Sequence, residues 1–426
     1  MNIMNNELLN QLLVDDLAQE VAKNYGTPVY IYSEDMLLRQ AQLAQAMPNA
    51  FGLKVRYAMK ANSNISVVRT LYKAGVCIDA SSGYEVERAL LAGVAPSDIQ
   101  ITAQELPNNI GDLHRAGVLV NACSLMQLEK FGAANQGGEV SLRINPGLGS
   151  GHTNRTNVGG ISSSFGIWHE YLDRALEICK KYSLTVTRAH THIGSGADPN
   201  VWKKVALMSL EMCRALPDVS ILSLGGGFKI ARNRSEEGAD LQAIGFPVKS
   251  AFEDFYHATG RKLVQEIEPG AFLVGNAGGI ISAVTDVVNT GNDGFEFIKL
   301  DTGMNDLIRP GMYGGIHEIR TLSSSEHKNE KRNYLVVGHC CESSDILTPM
   351  PNDPDGLKPI ELPKMKIGDL VVIAGTGAYC ASMAAKNYNS FPESAELMIR
   401  QDGSVQVVRR RQTLEQLIQN EINVVS

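Results

Sequence analysis

Eight short apolar runs alternating with amphipathic stretches constrain this chain more than any other feature. The runs fall at Lys54 to Lys60, Val76 to Ser81, Gln100 to Ala103, Val118 to Ala122, Val140 to Pro146, Thr185 to Ile193, Val219 to Gly225 and Leu263 to Pro269. Helical periodicity fills most of the gaps, as at Ile65 to Ala74, Tyr84 to Leu91, Leu125 to Ala133, Tyr171 to Lys181 and Val201 to Leu216. Continuous apolar strands separated by helices read as a parallel sheet covered on its outer face, and eight such units predict a (β/α)8 TIM barrel. A doubly wound open sheet is the alternative.

The flanks follow different patterns. Leu8, Leu9, Leu12, Leu13 and Leu17 suggest an N-terminal helix that Gly26 and Pro28 end, and Val29 to Tyr32 reads as a strand. Ser33 then caps a helix through Gln45. Beyond Gly278 come short alternating segments, Phe295 to Leu300, Tyr334 to Val337, Leu370 to Ala374, Ala395 to Arg400 and Ser404 to Val408, and a last helix over Thr413 to Glu421. The expected organisation is residues 1–33 packing with a β-rich C-terminal domain, 34–278 as the barrel, and 279–426 as that β-rich domain.

A net charge of −7 gives no electrostatic reason to expect nucleic acid or an anionic membrane as partner. The start, Met1 to Glu7, has no basic segment leading into an apolar one, and no apolar run approaches bilayer length, so a cytoplasmic protein is expected. The seven cysteines contain no Cys-x-x-Cys pair, and a disulfide framework is not expected. Asn154-Arg155-Thr156 matches a glycosylation sequon by chance.

A barrel presents its chemistry at the carboxyl ends of its strands, and the unusual residues fall there. Lys60 ends the first run, Asp79 to Ser82 the second, His190 and His192 the sixth, Gly225-Gly226-Gly227 the seventh, and Glu268-Pro269-Gly270 the eighth. Lys60 is either an exposed strand-end residue or an amine that carries an aldehyde cofactor as a Schiff base. His190 and His192 share a face, which suits a metal pair, a ring stacked on a planar cofactor, or two satisfied core histidines. Neighbouring strand ends offer mainly glycine and lysine, so no metal is expected. Three glycines without Cβ atoms let backbone N–H groups approach a phosphate, or simply make a tight turn, and Ser195 could add a hydroxyl. Glu268 is either a rim charge or the partner that keeps a pyridine nitrogen protonated. An amine, a ring, a phosphate loop and an acid together describe a site for pyridoxal 5'-phosphate.

These motifs resemble a known family. Tyr57 to Asn62 (YAMKAN), His192 to Gly196 (HIGSG), the triple glycine and Glu268-Pro269-Gly270 are similar to those of the fold-type III pyridoxal phosphate decarboxylases, which join an alanine-racemase-like barrel to a β domain. Asp301 to Pro310, Cys341 to Asp345 and Gly377-Ala378-Tyr379 resemble the diaminopimelate decarboxylase branch. Ornithine decarboxylases usually carry Cys-Asp where this chain has Cys341-Glu342.

The resemblance implies that Lys60 bonds the cofactor, that His192 stacks on it, and that Gly225, Gly226, Gly227 and Ser195 serve its phosphate. It further implies that Glu268 faces the pyridine nitrogen beside Gly270 and that Tyr379 lies against the cofactor. Arg309 and Tyr313 match positions that hold the substrate's distal carboxylate, Glu342 the position for the distal ammonium, and Cys341 a proton donor. A homodimer with shared active sites is implied, the loop of Cys341 and Glu342 reaching into the partner's barrel. The expected reaction is decarboxylation of meso-diaminopimelate to L-lysine, a step of lysine biosynthesis. A guanidinium fork at Arg309 suits a second carboxylate, which ornithine lacks.

Two departures stand out. The family usually reads Glu-Pro-Gly-Arg, whereas Ala271 follows Gly270, and His339 replaces a usual proline. Arg155, in the glycine-rich segment Gly147 to Ser164, is a candidate to restore the charge missing at Ala271. The alternatives are decarboxylation of ornithine, lysine or a D-amino acid, racemisation, a metal-dependent barrel hydrolase, or a non-catalytic carrier of the cofactor.

Overall fold

The computed structural model describes residues 15–148, 159–192, 194, 196–322 and 330–422, in two compact units. One unit spans Leu37–Ile230 and Glu237–Leu273. Its eight main strands are β1 (Leu53–Ala58), β2 (Cys77–Ala80), β3 (Ile99–Ile101), β4 (Leu119–Ala122), β5 (Glu139–Asn145), β6 (Thr185–His190), β7 (Ile221–Ser223) and β8 (Val264–Ile267). They pair in parallel in the order β4-β3-β2-β1-β8-β7-β6-β5. The β4–β5 pairing, Asn121 with Ser141 and Ala122 with Leu142, closes the ring, so the barrel forms and the open sheet is excluded.

Side-chain caps start the helices that follow the strands. Asn64 accepts from the Ser66 N–H, Ser82 from Glu85 and Ser124 from Gln127, opening helices Ile65–Lys73, Gly83–Leu91 and Leu125–Ala134. Between β7 and β8 runs the helix Leu241–Thr259, capped by Asp240. It carries Gly245 where a Cβ would stand 2.4 Å from Pro48 Cδ, so only glycine lets the two segments come this close.

Strand alternation sorts the barrel's buried side chains. Val55, Ala189, Leu222 and Ile267 are buried apolar residues, whereas their neighbours Arg56, Arg188 and Glu266 are buried and charged. Arg56 Nε donates to Glu266 Oε2 at 2.8 Å, and Arg188 Nη2 donates to the same oxygen. These three side chains tie β1, β6 and β8 together across the barrel interior.

The second unit holds the described residues up to Met36, Ala231–Glu236 and those from Val274 onward. The N-terminal segment takes part in its sheet: Val29–Ser33 lies between Gly278–Asn289, to which it is antiparallel, and Ala395–Ile399, to which it is parallel. Against the boundaries expected from sequence, the crossovers lie at Met36 and Val274. Residues 231–236, expected in the barrel, belong to the β unit. The last helix is Leu414–Ile418, shorter than expected and opened by a capping box between Thr413 and Gln416. Among the described residues no helix is long and apolar enough to cross a membrane.

Candidate active site

In the barrel unit, Lys60 occupies a single 3-10 turn, Met59–Ala61, directly after β1. Met59 and Ala61 are buried on either side while Lys60 is exposed, so its amine stands clear of the packed strand end. The Ala58 N–H donates to Pro269 O at 3.2 Å, fastening this turn to the loop after β8.

Glu268 lies one residue past β8, two residues on from Glu266 and on the same side. Its Oε1 accepts from Gln100 Nε2 at 3.0 Å and from Ser223 Oγ at 3.0 Å, and its Oε2 pairs with His190 Nε2 at 2.8 Å. Residues of β3, β7 and β6 thus converge on one buried carboxylate. Burial alone would raise its pKa, but the neighbouring His190 ring and the Ser223 hydroxyl hold it well below the usual carboxylate range.

Asp79, at the end of β2, has the opposite fate. Burial first, and the Glu268 charge next, push its carboxyl up to about 8. Gln100 Nε2 lies between the two acids, 3.4 Å from Asp79 Oδ1. Two acids near one another, one kept ionised and the other kept protonated, is an arrangement suited to controlling charge at a bound ring.

A carboxyl whose pKa is raised on folding binds its proton more tightly in the folded chain. Asp79 therefore costs stability progressively as pH climbs from the ordinary carboxylate range through about 8. Replacing Asp79 with Asn removes that term. In thermal melts at about pH 5 and pH 8, the variant should gain on the parent chain as pH rises; a constant difference would mean that Asp79 is ionised in the folded barrel.

The two histidines of the sixth run have separate partners. His190 serves Glu268, while His192 Nδ1 accepts the Gly226 N–H at 3.1 Å. Burial, then the positive charge of Arg143, depresses the His192 pKa well below its ordinary value, so the ring is neutral and carries its proton on Nε2. Thr191, between them, bonds the Ser209 hydroxyl at 2.8 Å. Among the described residues no group of three or more His, Cys, Asp or Glu is placed to hold a metal ion.

The glycines do more than expose backbone. A Cβ on Gly226 would stand 2.1 Å from Glu268 O, and one on Gly225, whose φ is +71°, would stand 2.6 Å from His192 Nδ1. Their absence lets the loop after β7 nest between Glu268 and His192. Two of the three N–H groups are engaged within the chain, Gly225 with Ser223 Oγ at 3.2 Å and Gly226 with His192, which leaves Gly227 for an anion. The Gly196 N–H donates to Gly227 O at 2.8 Å, holding the loop after β6 against this turn. Ser195 and Arg155 lie outside the described residues. Gly270 is buried, and its carbonyl accepts from Leu273 at 3.1 Å.

The donor set at the rim fits pyridoxal phosphate. It offers one accessible amine, a neutral imidazole, an ionised buried carboxylate and a loop from which side chains are excluded.

The other sequence-predicted residues lie in the β unit. Arg309 and Tyr313 are the two ends of the short helix Arg309–Tyr313, and the guanidinium sits 5.7 Å from the Tyr313 ring centroid. Cys341 and Glu342 are exposed. Their loop is shaped by Asp345, which accepts the Met304 N–H at 2.7 Å and the Cys340 N–H at 2.8 Å. The Cys341 N–H donates to Asn389 Oδ1 at 2.7 Å. His339 stacks on Phe391 with centroids 3.6 Å apart and brings Nε2 to 2.8 Å from Asn305 Oδ1, contacts a proline could not supply. Tyr379 holds a left-handed backbone, φ +56°, an uncommon conformation for a residue with a large side chain.

Sequence reasoning passed over Gln100 and Ser223, although each is a polar residue on a short, otherwise apolar strand. It also passed over Arg232, five residues past the triple glycine.

Known proteins are similar to this chain over nearly its whole length. The family described as pyridoxal-dependent decarboxylase, pyridoxal binding domain, matches residues 34–275. A diaminopimelate decarboxylase of Buchnera aphidicola subsp. Acyrthosiphon pisum is 36% identical over 407 residues, covering 94% of this chain and 95% of its own length. A crystal structure of a diaminopimelate decarboxylase superposes with a TM-score of 0.88 at 35% identity, covering 96% of both chains. The Helicobacter pylori enzyme, solved in complex with L-lysine, gives 0.83 at 29% identity over 95% of this chain and 98% of its own.

Proposed function

Because this chain belongs to the pyridoxal-dependent decarboxylases, we propose that it removes the α-carboxylate of meso-diaminopimelate and so forms L-lysine, the last product of a lysine-making route. Similarity to diaminopimelate decarboxylases over nearly the whole chain supports the reaction. The observation that carries the substrate is Arg309, whose buried Nε has no hydrogen-bond partner and whose side chain forms no ion pair among the described residues. Such a guanidinium needs an anion, and a second carboxylate on the substrate supplies one.

The chain's own groups divide the work. Lys60 would hold the cofactor through Nζ. Pyridoxal phosphate, once bound, supplies an electron sink for the pair left when carbon dioxide departs. Glu268 keeps its negative charge for the pyridine nitrogen, and Gln100, Ser223 and His190 fix its direction. His192 would cover the ring, Gly227 and Ser195 would take the phosphate beside Gly225 and Gly226, and Tyr379 would lie against the cofactor. Arg309 and Tyr313 hold the distal carboxylate and Glu342 the distal ammonium. Cys341 returns a proton to Cα, with Lys60 as the other donor.

Cys341 and Glu342 are exposed in the single chain, which supports a homodimer in which this loop completes the partner's site. We place the enzyme in the cytoplasm.

A substrate panel tests the reading. Carbon dioxide release should be fastest by kcat/KM with meso-diaminopimelate, at least ~100-fold above D-lysine, L-lysine and either ornithine, because those leave a half-buried guanidinium unpaired. Preference for a substrate with a single carboxylate would overturn it, as would inversion at Cα without gas release, read by chiral chromatography.

A further inference from the structure

The β unit contains a second arginine with the same unmet need as Arg309. Among the described residues of this unit, every buried side-chain nitrogen or oxygen without a hydrogen-bond partner belongs to Arg232, Asn276, Arg309, His317 or Thr376. These atoms are not scattered. Gly375, just before Thr376, packs so closely that a Cβ there would stand 3.2 Å from Arg232 Cγ and 3.5 Å from Asn276 Oδ1. Asn276 Nδ2 donates to Ala231 O at 3.0 Å, fixing the backbone beside Arg232. His317 Nδ1 donates to Ala374 O at 2.9 Å, which leaves Nε2 as its unpartnered atom.

Asn233, next to Arg232, donates through Nδ2 to Ile316 O at 3.5 Å, and a Cβ on the adjacent Gly315 would stand 3.6 Å from Arg309 Cβ, so the backbone brings the two arginines into one region beside His317. Burial first and the Arg309 charge next depress the Arg232 guanidinium to about 9, and burial followed by both arginines keeps His317 neutral. Neither arginine forms an ion pair among the described residues. Glu236 accepts the backbone N–H of Arg232 at 2.9 Å and acts on its guanidinium at a distance, without pairing with it, and the neighbouring Arg234 pairs with Glu318. Two guanidinium groups in one region with no ion-paired carboxylate repel, and partial burial strengthens the repulsion. A carboxylate between them would relieve it with charge-assisted hydrogen bonds.

We propose that Arg232 is a specificity-determining residue that grips the distal carboxylate of the substrate together with Arg309, supplying the second guanidinium that Ala271 does not. The inference rests on the dicarboxylic substrate proposed above. A substrate that ends in an ammonium or a methyl group instead would leave both arginines unpaired. Arg155, the candidate suggested by sequence, is then not needed for this role.

The test uses holoenzyme and pimelate, a dicarboxylate without amino groups, titrated by calorimetry into the parent chain, Arg232→Met and Arg232→Lys. The parent should bind, Arg232→Met should weaken binding by about 10- to 100-fold, and Arg232→Lys should fall between, because an ammonium cannot reproduce the fork. The same variants should raise KM for meso-diaminopimelate by a similar factor while kcat moves less than about threefold. Should Arg232→Met not fold, Arg232→Lys carries the test, with an expected loss of at least about fivefold. Pimelate binding within twofold of the parent in these variants would overturn the inference, as would a parent that does not bind pimelate. A parent that binds pimelate through Arg232 but releases no carbon dioxide from meso-diaminopimelate would instead overturn the proposed reaction and leave the carboxylate grip standing.

Discussion

Replacing Lys60 with alanine should leave the melting temperature of the apoprotein almost unchanged and remove activity by at least ~1,000-fold. The two halves of this expectation come from the same turn. Met59 and Ala61 are buried and anchor Met59–Ala61, whereas the Lys60 side chain is exposed and bonds nothing that packing depends on. A surface substitution of this kind usually shifts stability by less than about 0.5 kcal/mol. Its chemistry is another matter. Among the described residues of this rim the amine is the nucleophile suited to carry an aldehyde, and its charge also bears on Asp79 and His192. Absorbance of the purified variant should lack the visible band of lysine-bound pyridoxal, and carbon dioxide release should be at background. A variant that kept both would place the covalent attachment elsewhere; one that lost activity by unfolding would show it in the melt.

The barrel was legible because its information is local and repeated. Each of the eight apolar runs lies on or overlaps an observed strand, and residues such as Asn64, Ser82 and Ser124 mark where the helices begin. Lys60, His192 and Glu268 stood out because polar residues interrupt apolar runs at strand ends. Gln100 and Ser223 did not, since an uncharged polar residue in a three-residue strand also fits a simple core hydrogen bond. What they do depends on β3, β7 and β8 turning side chains toward one point on the barrel's inner side, which no window of sequence contains. Residues 231–236 were hidden for a related reason. The segment follows a barrel strand in sequence but packs with residues beyond Val274, so Arg232 comes within electrostatic reach of Arg309 across 77 positions of chain. The triple glycine was read for its exposed N–H groups, and two of them turn out to be engaged by Ser223 and His192. The stronger constraint there is steric, and it becomes visible only when Glu268 O is found where a Gly226 side chain would begin.

The largest loss of stability in the barrel unit should come from Glu266→Ala. Glu266 is fully buried, and through a single oxygen it balances Arg56, also fully buried, and Arg188. Burial works against the Arg56 charge, yet Glu266 more than offsets it and keeps the guanidinium pKa raised. Removing the carboxylate leaves two guanidinium groups in the interior facing each other with no counter-ion, a change that typically costs about 3–5 kcal/mol. At about 2–4 °C per kcal/mol for a domain of this size, the melting temperature should drop by roughly 6–20 °C. Glu266→Gln keeps the volume and one acceptor, so it should fall between. The discriminating variant replaces all three at once, Arg56→Met, Glu266→Leu and Arg188→Met. It removes the attraction together with the cost of burying charge, and should therefore be more stable than Glu266→Ala despite carrying more substitutions. If the triple variant were the less stable one, the network's hydrogen bonds, including Arg56 Nη1 to Asp98 O at 3.0 Å, would outweigh the cost of burying its charges.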